Sequence, residues 1–271
     1  MNMSRIKELF ERKRERLINV YCTAGYPFFD STIEVLKSLE NTGADIIEIG
    51  MPYSDPLADG PVIQASGAIA LQNGMTISKM FEQLKDFRNA PLGNGGKNSP
   101  SGDGGIPVIL MGYLNPLLQY GFEKFCAKAY EVGIDGLIIP DLPVYEFEYE
   151  YKSLVEKYNL DFIFLVTPET SEERIKKLDS LSSGFLYAVS SSSLTGSDKD
   201  FSQVETYLQR LQAMKLNNPV LVGFGIKDKG TFNSACKYAN GAIIGSAYIK
   251  ALEGTQDIEG ATKEFLQGII S

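Results

Sequence analysis

The sequence predicts an α/β fold, a (β/α)8 TIM barrel built as one domain over residues 1–271. Three observations predict it. Eight short apolar runs alternate with amphipathic segments along the 271 residues, which is the pattern of repeated βα units around a parallel sheet. The runs are nearly continuous in apolar residues, as strands buried on both faces are. The length is close to the ~250 residues in which eight such units close on themselves.

The elements follow in order. Ile6, Leu9, Phe10 and Leu17 recur at roughly helical spacing among charged neighbours, so an extra N-terminal helix is expected to lie on the surface of the body. The strands are expected at residues 17–23, 45–50, 107–112, 136–140, 162–167, 185–190, 220–223 and 242–245. Helices are expected at 31–40, 120–131, 145–158, 171–181, 201–216 and 229–238, the first stopped by Gly43. Two stretches interrupt the alternation. Extra helices follow the second strand, at 61–72 and 78–87. Residues 89–105 are rich in Gly, Pro, Ser and Asn and read as a flexible insertion. That insertion precedes a strand, which places it on the N-terminal face, and no catalytic role is expected of it.

Composition narrows the function. With 26 Lys and Arg against 34 Asp and Glu, the net charge is −8, which argues against a nucleic-acid partner. No apolar run approaches the ~20 residues of a membrane span. The N-terminal basic residues are interleaved with Glu8, Glu11 and Glu15, and no apolar stretch of a signal peptide follows. Cys22, Cys126 and Cys236 are odd in number and widely spaced, as in the reduced thiols of a cytoplasmic protein. Histidine is absent, so acid–base work near neutrality falls to carboxylates, Lys, Tyr or Cys. No cluster has metal-ligand spacing. An acidic body that binds an anion must do so locally, with backbone N–H groups.

In a barrel the chemistry belongs at the C-terminal strand ends. The second strand carries Glu48 in an apolar frame, a costly placement unless it faces a polar or functional cavity. The loop after it carries Asp59. Both could point into the barrel mouth. Glu48 could equally be half of a buried salt bridge, and Asp59 could be a helix cap before Gly60-Pro61. Alternation could aim Tyr187 into the barrel, or it could simply fill the core. Gly225, in the GFG after the seventh strand, and Gly245-Ser246, opening a short helix after the eighth, fit the phosphate site common to such barrels, or they could be two tight turns whose glycines only supply positive φ. The serine-rich run at 190–196 reads as a lid, with Thr195 and Gly196 near that phosphate. A phosphorylated small molecule, two carboxylates and no cofactor suggest proton transfer or a retro-aldol cleavage.

Residues 47–64, IEIGMPYSDPLADGPVIQ, closely resemble the long signature of the tryptophan synthase α-subunit family. Further pieces resemble it in order along the chain: TAGYP at 23–27, MGYLNP at 111–116, PDLP at 140–143, the run 190–196, VGFGI at 222–226 and GSA at 245–247. The resemblance implies a lyase that cleaves indole-3-glycerol phosphate to indole and glyceraldehyde 3-phosphate. It implies a β-subunit partner in an α2β2 heterotetramer, with pyridoxal phosphate only in that partner and no cofactor in this chain. It implies Glu48 and Asp59 as catalytic residues and Tyr21 and Tyr187 as substrate contacts. It further implies Gly196, Phe224, Gly225, Gly245 and Ser246 as phosphate ligands. Ser191, Ser193 and Leu194 depart from the family's pattern in the lid. Two other readings stay open: a phosphate-binding barrel isomerase or epimerase, and a non-catalytic subunit that only activates a partner.

Overall fold

The computed structural model describes residues 4–85, 87–88, 105–189, 201–223 and 225–270, without the side chains of 201–203. Its strands are β1 (Leu17–Thr23), β2 (Ile46–Gly50), β3 (Val108–Met111), β4 (Gly136–Ile138), β5 (Asp161–Phe162), β6 (Leu165–Val166), β7 (Leu186–Val189), β8 (Val220–Gly223) and β9 (Gly241–Ile244). All pair in parallel, in the order β5-β4-β3-β2-β1-β9-β8-β7-β6. The two ends of that order are consecutive pieces of one chain segment. The Ile163 N–H donates to the Leu137 carbonyl at 3.0 Å, and the Tyr187 N–H donates to the Phe164 carbonyl at 3.0 Å. Residues 161–166 therefore hand over from one neighbour to the other and close the sheet. The single strand expected at 162–167 is two short ones because each half serves a different edge.

The interior confirms the closure. Leu17, Ile46, Ile109, Ile138, Ile163, Phe185, Leu221 and Ile243 form one buried cluster, with a residue from or beside every barrel strand. Each such side chain taken from water contributes about 1.5–3 kcal/mol before entropy is counted. Ile6 and Leu9 of α1 (Arg5–Arg12) belong to the same cluster. The N-terminal helix is thus a plug in the bottom of the barrel rather than a surface helix. Its basic residues then meet the acids at the lower strand ends. Arg5 pairs with Asp135 at 2.7 Å, Lys7 with Asp161 at 3.7 Å and Lys13 with Asp45 at 2.6 Å.

The outer layer is α2 (Thr32–Thr42), α3 (Pro61–Gln72), α4 (Ile77–Leu84), α5 (Leu114–Tyr120), α6 (Phe122–Glu131), α7 (Val144–Glu146), α8 (Lys152–Lys157), α9 (Glu172–Leu181), α10 (Phe201–Ala213), α11 (Lys229–Ala235), α12 (Ser246–Ala251) and α13 (Ile258–Ile270). A π turn, Phe147–Tyr151, joins α7 to α8. The helix expected at 120–131 begins earlier, as α5, and is broken at Gly121, whose φ of +93° ends one helix and opens the next. Pro116 hides α5 from sequence reasoning, yet it lies in the first turn, where its missing N–H has no helical partner to lose. The helix α13, which the sequence reading leaves out, packs on α2 and α12. Of the insertion expected at 89–105, only Gly105 is among the described residues. No helix among them is long and apolar enough to cross a membrane.

Candidate active site

The pairing of β1 with β2 sets the centre. The register places Tyr21 opposite Glu48, and Asn19, two residues earlier on β1, faces the same interior side. Glu48 is fully buried. Its Oε2 accepts a hydrogen bond from the Asn19 amide at 3.1 Å, while its Oε1 has no partner. Among the described residues no lysine or arginine pairs with it, so the salt-bridge alternative falls away. Burial pushes the carboxyl up to about 8; the Asn19 hydrogen bond pulls it down, and the Asp59 charge adds to the rise.

The loop after β2 brings Asp59 over this centre. The residue that caps α3 is Gly60, with Pro61 at the first helical position and no side-chain cap bond. Asp59 is therefore not the cap. Its carboxyl instead feels the neighbouring Tyr113 hydroxyl, which favours its charged form, and that hydroxyl oxygen accepts the Ala58 N–H at 2.9 Å. Burial raises Asp59 to about 6, and the Tyr113 hydroxyl pulls against the rise. Gln64 holds the loop from below, donating to the Asp59 carbonyl at 2.8 Å and to the Pro56 carbonyl at 3.3 Å.

Two tyrosines roof the barrel in the same way. A side-chain carbon on Gly50 would fall 1.9 Å from the Tyr21 hydroxyl oxygen, and one on Gly223 would fall 2.3 Å from the Tyr187 ring. Each tyrosine lies over a glycine two residues higher on the next strand, since Tyr21 pairs with Glu48 and Tyr187 with Leu221. Glycine is required there for space. Both phenols are pushed well above their usual pKa, first by burial and then by the negative charge of Asp59 and Glu48. They stay neutral and supply apolar faces with hydroxyl tips. Tyr187 pairs with Leu165 across β6 and β7, and both pack against the interior cluster, as does Met111.

The ends of β8 and β9 form the stretch of rim between β7 and β1. Gly225 is exposed, has φ +55° and has open space around it, so its left-handed backbone, not crowding, calls for glycine. Gly245 caps α12, and a side-chain carbon there would lie 3.4 Å from Ile63 and 3.6 Å from Tyr21. Ser246 opens α12 and is exposed. The structure thus gathers Tyr21, Glu48, Asp59 and Tyr187 at one mouth, with Gly245 beside Tyr21. Thr195, Gly196 and Phe224 lie outside the described residues. Sequence reasoning missed Asn19, Tyr113 and Ile63. Asn19 carried the same signal as Glu48, a polar side chain in an apolar strand; Tyr113 was visible only as part of a motif.

Among the described residues no group of three or more Cys, Asp and Glu could hold a metal ion. Two buried carboxyls raised toward neutrality at the mouth of a parallel barrel are the kind of pair found in barrel enzymes. Residues 6–268 match the family model for the tryptophan synthase alpha chain. The chain is 50% identical over 265 residues to the tryptophan synthase alpha chain of Flavobacterium johnsoniae, covering 97% of this chain and 98% of that one. It is 51% identical over 265 residues to that of Christiangramia forsetii, with the same coverage of 97% and 98%. Among solved structures, the tryptophan synthase alpha chain of Legionella pneumophila superposes with a TM-score of 0.85 at 31% identity, covering 99% of this chain and 96% of that one. A chain of the aminoacrylate-bound tryptophan synthase of M. tuberculosis gives 0.81 at 30% identity, covering 98% and 100%. The chain belongs to the tryptophan synthase alpha chain family.

Proposed function

We propose that Glu48 is the proton donor and acceptor of this lyase and that Asp59 steadies the charge that develops on its substrate. The reaction is the family's, the cleavage of indole-3-glycerol phosphate to indole and glyceraldehyde 3-phosphate in tryptophan biosynthesis. The carrying observation is the burial of Glu48 without a cation, one oxygen held and the other free. A carboxyl that is half protonated near pH 8 can give a proton at neutrality and take one back.

In this reading Glu48 transfers its proton to C3 of the indole ring, and the ring nitrogen becomes positive. Asp59, seated across the mouth, accepts a hydrogen bond from the ring N–H. The Glu48 carboxylate then takes the proton of the 3′ hydroxyl as the C–C bond breaks. Indole and an aldehyde leave, and Glu48 is restored. Tyr21 and Tyr187 give the ring its walls. Gly225, Gly245 and Ser246 offer backbone N–H groups to the phosphate, joined by Thr195, Gly196 and Phe224 from outside the described residues. The reaction calls on no cofactor in this chain; pyridoxal phosphate belongs to the β subunit with which the chain pairs. Leu57 is 88% exposed, next to a groove of about 560 Å³ lined by Tyr53, Pro56, Pro61, Gln64 and Leu71. An apolar rim of that kind supports this loop and α3 as the surface that meets the partner.

A non-catalytic subunit would have no use for an unpaired buried carboxylate, which costs stability. The test is indole release from indole-3-glycerol phosphate by the chain with its β subunit. Activity in the parent and its loss in Glu48→Gln are expected. A Glu48→Gln protein keeping more than about a tenth of the rate, a barrier change below ~1.4 kcal/mol, would overturn the assignment.

A further inference from the structure

We infer that Asn19 is the positioning residue for Glu48: its amide holds Oε2 as a fixed acceptor and so leaves the transferable proton on Oε1, the oxygen that faces substrate. The inference rests on Glu48 being the acid. Asn19 is fully buried, sits in a strand whose other residues are all buried, and donates to Oε2 at 3.1 Å. Its own Oδ1 has no partner, nor has Glu48 Oε1. A buried amide with an unsatisfied oxygen is a cost that a hydrophobic residue of similar size would avoid. The fold carries that cost at the one place where it controls the geometry of the reactive carboxyl.

The chemistry follows from donors and acceptors. An amide N–H can only donate, so the oxygen it meets must accept in both protonation states of Glu48. The hydrogen of the neutral acid then rides on Oε1. In the forward step the Oε1–H bond breaks and the C3–H bond of the indole ring forms, leaving a carboxylate. The same Oε1 then takes the hydroxyl proton, while Oε2 never leaves Asn19. Without the amide, the carboxyl could turn and present either oxygen, and part of the population would hold its proton away from the substrate. The titratable groups near Glu48 are Tyr21 and Cys22 on β1, Asp59 on the loop after β2 and Tyr187 on β7. The phenols and the thiol are held high by burial, which leaves Asp59 as the one neighbouring group that titrates near neutrality.

The amide also favours the ionised form of Glu48, so its removal has a signed effect. An acid that must be protonated loses activity as pH rises through its pKa, and Asn19→Leu should move that alkaline limb to higher pH by about one unit. We expect kcat to fall about tenfold at neutral pH with KM little changed, because the substrate does not touch Asn19. Asn19→Ser, which restores a donor, should return the limb toward that of the parent. Asn19→Ala, which leaves room for water, is read by the same two measurements should the leucine variant not fold. An unmoved limb in the folded Leu or Ala variant, with Glu48→Gln inactive, would overturn the role of Asn19 and leave that of Glu48 standing. An active Glu48→Gln would instead overturn the reading on which both depend.

Discussion

The two ends of the barrel use acidic residues in opposite ways. At the bottom, Asp45, Asp135 and Asp161 each face a cation from the plug helix, and Asp135 has a second in Arg88 at 3.1 Å. Burial raises the Asp135 carboxyl, and the two guanidiniums with the Val108 N–H pull it back. At the mouth, Glu48 and Asp59 have only an amide and a phenol. The residue type is shared; the partner differs. A buried carboxylate beside guanidinium has its charged form favoured by that cation and ties elements together. One beside neutral donors stays close to its titration point, which is what proton transfer needs. On the proposed reading, the fold keeps its ion pairs at one face and its chemistry at the other.

The largest expected effect comes from Glu48→Gln. Turnover should drop about 10²–10⁴-fold, with glycerol phosphate binding intact by calorimetry. The same change should alter stability in a signed way. The folded carboxyl sits near 8 against 4.5 when free, so its contribution to stability is present below about 4.5 and is lost as pH rises through about 8. Glu48→Gln should therefore gain on the parent steadily from pH 5 to pH 8.5 in urea unfolding. A constant difference across that range would mean that the carboxyl is not held high, and the contrast between the two ends would collapse.

Asp135→Leu is the counterpart at the bottom. It strands Arg5 and Arg88 and should cost about 3 kcal/mol of folding stability, read from the urea midpoint. The kcat of the folded enzyme should stay within about twofold of the parent, since no substrate group reaches that face. Lost turnover at unchanged stability would show that the bottom is not merely structural.

Asp59→Asn keeps the shape and an acceptor but removes the charge. A loss of about 10–100-fold in kcat, roughly 1.4–2.7 kcal/mol, with the fold unchanged, would place it below Glu48 in importance. A loss as deep as that of Glu48→Gln would make Asp59 a second proton-transfer group.

The smallest effects distinguish two left-handed glycines, Gly43 at the bottom with φ +101° and Gly225 at the mouth with φ +55°. Alanine at either should cost about 1–2 kcal/mol through strain alone, since the nearest atom to a carbon on Gly43 is 3.8 Å away and Gly225 has none within contact. Only Gly225→Ala should also weaken glycerol phosphate in a binding titration. Equal weakening by both variants would remove Gly225 from the anion site.

Much of this is legible in the sequence. Continuous apolar runs marked every barrel strand to within a residue or two, because strands buried on both faces have no polar side to interrupt them. Glu48 stood out for the same reason: a charge in such a run is costly and needs a purpose. Other features left no local trace. The plug helix was readable as amphipathic, but nothing in its spacing says whether its apolar stripe covers a surface or fills a barrel bottom. Pro116 concealed α5. The tie of Tyr113 to Asp59 joins residues 54 positions apart, and the roofing of Gly50 by Tyr21 joins two neighbouring strands.

By itself the sequence determined the periods: where strands and helices fall, which face of each is apolar, and which residues can titrate, with acid–base work left to carboxylates, Lys, Tyr or Cys by the absence of histidine. Those properties are local, carried by side-chain type and backbone geometry. Only the tertiary structure decided which carboxylates meet a guanidinium and which meet an amide, because that depends on register and on barrel closure. Asn19 and Glu48 come within 3.1 Å only once β1 and β2 lie side by side. The charge state of Glu48, on which its proposed role depends, is a property of that neighbourhood and of the water it excludes.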